Sequence, residues 1–243
     1  GGKIPVKDLK FLKGMPLTEL DVVDASDLSP LKGMLLTQLS VNGGGVTDLS
    51  PLQGMPLTWL VVIGAKVKDL SPLKGMPLGY LDLAACPIKD ISPLKGMKLN
   101  WFNLTNTQVT DLSPLKEMEV DHLVFNSPPK GFNFKSIAGA RLKSLVLPNT
   151  PEVNDLSPLK GMPLVSLVVP NTAIKDLTPL KGMALESLQI NSCPAVSDLK
   201  PLKGMPLKDL RIAEDDKIKD LTPLQGMPLE NLQMNGCKEI SDL

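Results

Sequence analysis

Histidine is almost absent from this sequence: His122 is the only one among 243 residues. Any serine–histidine or cysteine–histidine scheme of catalysis would have to run through that one side chain. Asp121 precedes it directly, but neighbours on an extended segment point to opposite sides. The chain also lacks a glycine-rich phosphate loop, a metal-ligand motif and a nucleotide fingerprint. The expectation is a chain that is not an enzyme, binds no metal and uses no cofactor. Excess charge of one sign is missing too, since 26 basic residues balance 26 acidic ones. A neutral chain has no global basic field to gather nucleic acid or an anionic membrane surface. No apolar run approaches the length that crosses a bilayer. Cysteine is limited to Cys86, Cys193 and Cys237. Three thiols build no disulfide framework and point to no particular compartment.

What the chain does have is one stretch that keeps returning. Its cleanest copy runs Asp69-Leu70-Ser71-Pro72-Leu73-Lys74-Gly75-Met76-Pro77-Leu78. Near copies start at Asp27, Asp48, Asp90, Asp111, Asp155, Asp176, Asp198 and Asp220, with a degraded one at Asp8 and a truncated one at Asp242. Ser71 before Pro72 reads as a helix start, a hydroxyl to accept a loose N–H followed by a residue with φ already set. Gly75 supplies a left-handed stop. One short turn fits between them, which predicts 3₁₀ geometry. Leu70, Leu73 and Met76 should point inward, and Pro77 forbids further helix. Most of the 23 prolines fall at these fixed sites, so they do not mark disorder.

The other half of each unit is extended: Leu78-Gly79-Tyr80-Leu81-Asp82-Leu83, then Cys86 and Ile88. Counted this way, strands open at Leu17, Leu36, Leu57, Leu78, Leu99, Val120, Leu142, Leu164, Leu185, Leu207 and Leu229, at spacings of 21 or 22 residues except the first, which is 19. A period near twenty predicts a solenoid. The pattern L-x-x-L-x-L-x-x-(T/C)-x-(V/I) resembles the leucine-rich repeats, in the short-turn bacterial variety of internalins. The Gly-Met-Pro-Leu ending is similar to repeats of planctomycete proteins, where such units often stand beside domains such as protein kinases. The resemblance covers nearly the whole chain. It implies an α/β-type right-handed solenoid, with one parallel sheet of about eleven strands on the concave face and short 3₁₀ turns on the convex face. For function it implies only a scaffold.

The three cysteines share one repeat position with Thr107, Thr150 and Thr172. In the family that site faces inward, so buried structural thiols are expected. Cys193 and Cys237 stand two units apart, too far for a bridge at a strand spacing of about 4.8 Å. Residues 1–16 read as a partial first repeat, and 17–243 as the solenoid. Both ends fall in mid-unit and Gly1-Gly2 reads as an expression scar, so a single-domain fragment of a longer protein is expected. It should be a monomer, with end-to-end pairing as the other arrangement. Asp24-Ala25-Ser26 runs almost directly into Asp27, which should deform the first coil.

The segment 126–141 breaks the pattern. There Phe134 and Ile137 take the leucine places and Asn133 the aspartate place, so the core should persist while the surface changes. Drift of one repeat explains this more simply than a convex landmark for a partner. After it, four of five units carry one more residue, as at Thr150-Pro151-Glu152-Val153. Two runs of slightly different pitch, with a change of curvature near 126–141, are expected. On the convex side the recurring Asp should hold turn N–H groups, with the Lys five residues later balancing its charge. One Asp per unit does not converge on a calcium ion.

Aromatic residues make up only 3% of the chain, and their placement is uneven. In each L-x-x-L-x-L, the residues before and after the second leucine point away from the core. The column before it reads Glu19, Gln38, Trp59, Tyr80, Trp101, His122, Ser144, Ser166, Ser187, Asp209, Asn231. Both tryptophans, the only tyrosine and the only histidine thus fall on four consecutive strands. The next columns add Val61, Asp82, Asn103 and Val124, then Ile63. An exposed aromatic and aliphatic ribbon rimmed by polar groups predicts a binding surface. The expected function is recognition of a protein or peptide by the concave face. Trp59, Tyr80 and Trp101 would be the anchors, His122, Val61, Ile63 and Val124 would stand around them, and Asp82 and Asn103 would set register. Stacking sugars on the same rings, and a structural or regulatory arm for a larger protein, are the alternatives. A ladder kept for sheet stability alone need not stop after four units. Ser144, one strand from His122 in the same column, would make only a bare Ser–His pair, with no orienting carboxylate or oxyanion hole.

Overall fold

The computed structural model describes residues 8–214 and 217–236. Each unit contributes one strand and one 3₁₀ turn. The strands are β1 (Glu19–Val23), β2 (Gln38–Asn42), β3 (Trp59–Ile63), β4 (Tyr80–Asp82), β5 (Lys98–Asn103), β6 (Glu119–Val124), β7 (Ser144–Val146), β8 (Ser166–Val168), β9 (Ser187–Gln189), β10 (Asp209–Arg211) and β11 (Asn231–Gln233). They form one sheet of 11 strands in sequence order, and every neighbouring pair is parallel. Equivalent repeat positions pair throughout, as in Trp59↔Tyr80↔Trp101↔His122↔Ser144. A one-residue slip would throw each leucine to the wrong face, so the hydrophobic pattern pins the register. Among the described residues no helix is long and apolar enough to cross a membrane.

The core is a set of stacked columns. Leu70, Leu73, Leu81, Leu83, Cys86 and Ile88 are fully buried, and Met76 nearly so. The expected inward positions are therefore filled as read. Cys86 and Cys193 lie in this core. The Cys86 thiol donates to the Val62 carbonyl at 3.1 Å, and burial pushes its pKa up to about 11. Cys193 Sγ lies 3.2 Å from Thr172 Oγ1. Cys237 and Asp242 fall outside the described residues.

The turn departs from the sequence expectation at the serine and keeps it at the aspartate. Ser71 opens the 3₁₀ segment Ser71–Leu73 and caps nothing with its side chain. Asp69 does that work: its Oδ1 accepts the Ser71 backbone N–H at 2.8 Å and its Oδ2 accepts the Ser71 hydroxyl at 2.7 Å. One carboxylate meets both donors of the serine, so the hydroxyl is used as a donor and is not left to accept. The arrangement recurs at Asp27, Asp48, Asp90, Asp111 and Asp155. These bonds hold several carboxyls below the ordinary range. The hydroxyl is the leading cause at Asp48, Asp69, Asp176 and Asp220, and the backbone N–H at Asp27, Asp111 and Asp155. The lysine five residues on balances the aspartate only from a distance; Lys116 is a minor cause of the lowering of the Asp111 carboxyl. Among the described residues no ion pair joins it to the aspartate, and Lys95 instead meets Glu117 at 2.7 Å.

Two departures from the repeat have structural answers. The short first unit brings the Ala25 carbonyl against the next coil. A Cβ on Gly44 would stand 2.1 Å from that oxygen, and the run Gly43-Gly44-Gly45 accommodates the approach. In the irregular unit, Phe134 and Ile137 do fill the core, and the 3₁₀ segment is Phe134–Ile137. Asn133 holds the aspartate's place without its bond. The Ser136 hydroxyl takes over, donating to the Asn133 carbonyl at 2.6 Å and accepting the Leu112 N–H at 2.8 Å. Phe132 packs edge-on to Phe125, centroids 5.1 Å apart. The extra residue of later units is absorbed in a tight turn, with N–H to carbonyl bonds from Val153 to Thr150 and from Val196 to Cys193. Two further copies of that insertion, at 215–218 and 237–240, fall wholly or partly outside the described residues.

Candidate functional site

The sheet face opposite the core carries the ring column. Parallel pairing of β3 to β6 sets Trp59, Tyr80, Trp101 and His122 side by side. The rings stack along the sheet. Trp59 and Tyr80 have centroids 5.3 Å apart and planes inclined by 24°. Tyr80 and Trp101 follow at 6.0 Å and 3°, then Trp101 and His122 at 6.0 Å and 30°. Offset stacking at these distances is attractive. Tyr80 is therefore sandwiched, and burial raises its phenol pKa, helped by the charge of Asp82. The three larger rings are half-buried and His122 is exposed. Trp101 Nε1 is buried and finds no acceptor among the described residues.

Not all of the expected ribbon is exposed. Ile63, Asn103 and Val124 are half-buried, but Val61 is only 6% exposed and Asp82 only 7%. Both lie between large neighbours on a concave sheet, where pointing outward does not secure contact with water. Asp82 is also tied to its own strand end. Its Oδ1 accepts the Ala84 N–H at 2.9 Å and its Oδ2 accepts from Asn103 Nδ2 at 3.1 Å. Asn103 Oδ1 in turn accepts the Thr105 N–H at 2.9 Å. Asp82 and Asn103 thus brace the exits of β4 and β5 beneath the rings.

Catalytic geometry does not assemble around His122. Asp121 is engaged by Lys143, whose Nζ lies 2.9 Å from its Oδ2. Ser144, the register partner of His122, is buried. One feature escaped the sequence reading. An open hollow of about 560 Å³ lies on the other side of Trp59, lined by Glu19, Leu20, Asp21, Gln38, Ser40, Asn42, Trp59 and Val61. The signal for it was present in the column order, where acids and amides precede the first ring.

No protein-family model matches this chain, and no curated protein does. Among solved structures it is similar to an internalin (inlF) from Listeria monocytogenes str. 4b F2365, at 24% identity and a TM-score of 0.66, over 90% of this chain and 74% of that one. An internalin C2 from the same strain aligns at 21% identity and a TM-score of 0.49, over 89% of this chain and 80% of that one. Together with the repeat and the single parallel sheet, the first of these likenesses establishes the fold: a leucine-rich-repeat solenoid.

Proposed function

We propose that this chain is a non-enzymatic recognition module that binds a protein or peptide on the concave face of its sheet. Trp59, Tyr80 and Trp101 are the anchors. His122, Ile63, Val124 and Asn103 surround them, and Val61 and Asp82 lie beneath as support. The observation that carries the reading is the four-ring stack on the face turned away from the core. Trp and Tyr are the side chains that most often dominate binding energy at protein interfaces. The aliphatic neighbours extend the apolar area beyond the rings.

Sugar binding on the same ladder is less well served. Sugars stack on ring faces, and both faces of Tyr80 and of Trp101 are taken by neighbouring rings. What the column offers a visitor is mostly ring edges, which suit peptide side chains. The test is selection from a random peptide library on phage against the immobilised chain, followed by Trp59→Ala/Trp101→Ala. Enriched peptides should lose binding to the double variant while its circular dichroism spectrum is unchanged. Peptides that bind both proteins equally, or binding to a glycan array with no peptide enrichment, would reject the assignment.

A further inference from the structure

Asparagine is followed by glycine at two places in the chain, Asn42-Gly43 and Asn235-Gly236. Glycine leaves the asparagine side chain open to attack by the backbone nitrogen that follows, because no Cβ stands in the way. The reaction is intramolecular. The glycine nitrogen, its proton lost to base, attacks the asparagine Cγ. The Cγ–Nδ2 bond breaks, ammonia leaves with a proton regained from solvent, and a cyclic succinimide remains. Water then opens either C–N bond of the ring, giving aspartate or isoaspartate. No oxidant and no co-reactant beyond water is needed.

The two steps occupy equivalent places in the repeat, at the left-handed corner that follows the strand, yet the fold treats them differently. At this corner the amide donates to a carbonyl of the next coil: Gly64 to Ala84 at 2.9 Å, Asn106 to Asn126 at 3.0 Å and Glu214 to Asn235 at 2.8 Å. Gly43 follows the rule, donating to Ile63 at 2.7 Å. A donated N–H keeps its proton and holds its nitrogen in place. Asn42 is held as well, its Nδ2 donating to Ser40 Oγ at 2.8 Å, and both residues are half-buried. Asn235 and Gly236 are exposed. Among the described residues the Gly236 N–H meets no carbonyl and the Asn235 side chain has no hydrogen-bond partner.

We propose that Asn235 is a site of spontaneous deamidation and isoaspartate formation, and that Asn42, the same dipeptide at the equivalent corner, is protected by the coil that follows it. The isoaspartyl product runs the main chain through its own Cβ and Cγ. It therefore displaces the Asn235 carbonyl that accepts the Glu214 N–H at 2.8 Å, the bond that ties this corner to the coil before it.

The experiment incubates the whole folded chain in mildly alkaline buffer at body temperature. It then follows the two asparagine peptides by mass spectrometry, with isoaspartate resolved by chromatography. Asn235 should convert at least about tenfold faster than Asn42, the difference that one held amide makes. In urea, where neither amide is held, the two should convert at similar rates. Gly236→Ala should slow conversion at Asn235 and leave Asn42 unchanged. Equal rates at the two sites in the folded chain would overturn the proposal. So would an Asn235 that converts in urea but stays intact in the folded chain.

Discussion

Two left-handed corners per coil show what single residues contribute. Gly75 has φ 73° and Ala85 has φ 57°. A Cβ at Gly75 would meet nothing within 4 Å, so its substitution is penalised by backbone strain alone. Gly75→Ala should cost about 1 kcal/mol, and Ala85→Gly should stabilise by a similar amount, because L side chains tolerate this region poorly. Urea denaturation midpoints of the two variants check both signs. Gly44 differs, because its added Cβ would strike the Ala25 carbonyl; Gly44→Ala should cost clearly more than Gly75→Ala in the same assay. In the ring column, Tyr80 stacks on both sides. Tyr80→Ala should therefore destabilise by about 1–3 kcal/mol, well beyond His122→Ala, which ends the stack. The glycine corner was legible in the sequence, since glycine recurs there in nearly every unit, the unit at Asp111 with Glu117 being an exception. The second corner was not, because Asp24, Ala85, Asn106 and Ser192 all occupy it. Residue identity carries no signal where the chain tolerates several side chains at φ above zero.

The unit turn is the element on which the coil's convex edge depends. Sequence reading expected the recurring aspartate to hold turn N–H groups but gave the cap itself to serine, a common capping residue. The structure assigns it to the aspartate two residues earlier, whose longer side chain satisfies the serine N–H and O–H together. This assignment has a pH consequence. The folded-state pKa values of Asp27, Asp48, Asp69, Asp111, Asp155, Asp176 and Asp220 lie below their ordinary values. Their contribution to stability is thus complete above about pH 4, the unfolded value, and is lost as pH falls through the depressed folded values. Thermal melts should be flat on their account between neutrality and pH 5, then drop in acid. Replacing Asp48, Asp69 and Asp111 together by Asn should reduce the acid-dependent part of that drop. Strand positions were fully legible, since period-two leucines fix which side faces the core. Exposure on the other side was not. Val61 and Asp82 point outward yet are covered, because on a concave sheet the size of the neighbours decides what water reaches.

At the scale of the whole molecule, a solenoid spreads its core thinly and its surface widely. Each coil contacts its immediate neighbours, so a change in one unit is absorbed within a turn or two. The irregular unit illustrates this: β6 and β7 stay in register across it, and Phe134 and Ile137 keep the leucine columns filled. The same one-dimensional order brings residues far apart in sequence into a continuous column. Four rings are gathered there from a chain that has few aromatics. The central claim is that this column is where a partner lands. Hydroxyl-radical footprinting of the chain with a selected peptide tests it most directly, because it reads oxidation side chain by side chain. The account predicts that peptide binding slows oxidation of Trp59, Tyr80, Trp101 and His122 and leaves the exposed Phe11 and Met15 unaffected. Protection confined to Phe11, Met15 or the convex turns, with the four rings oxidised as fast as in the free protein, would contradict it.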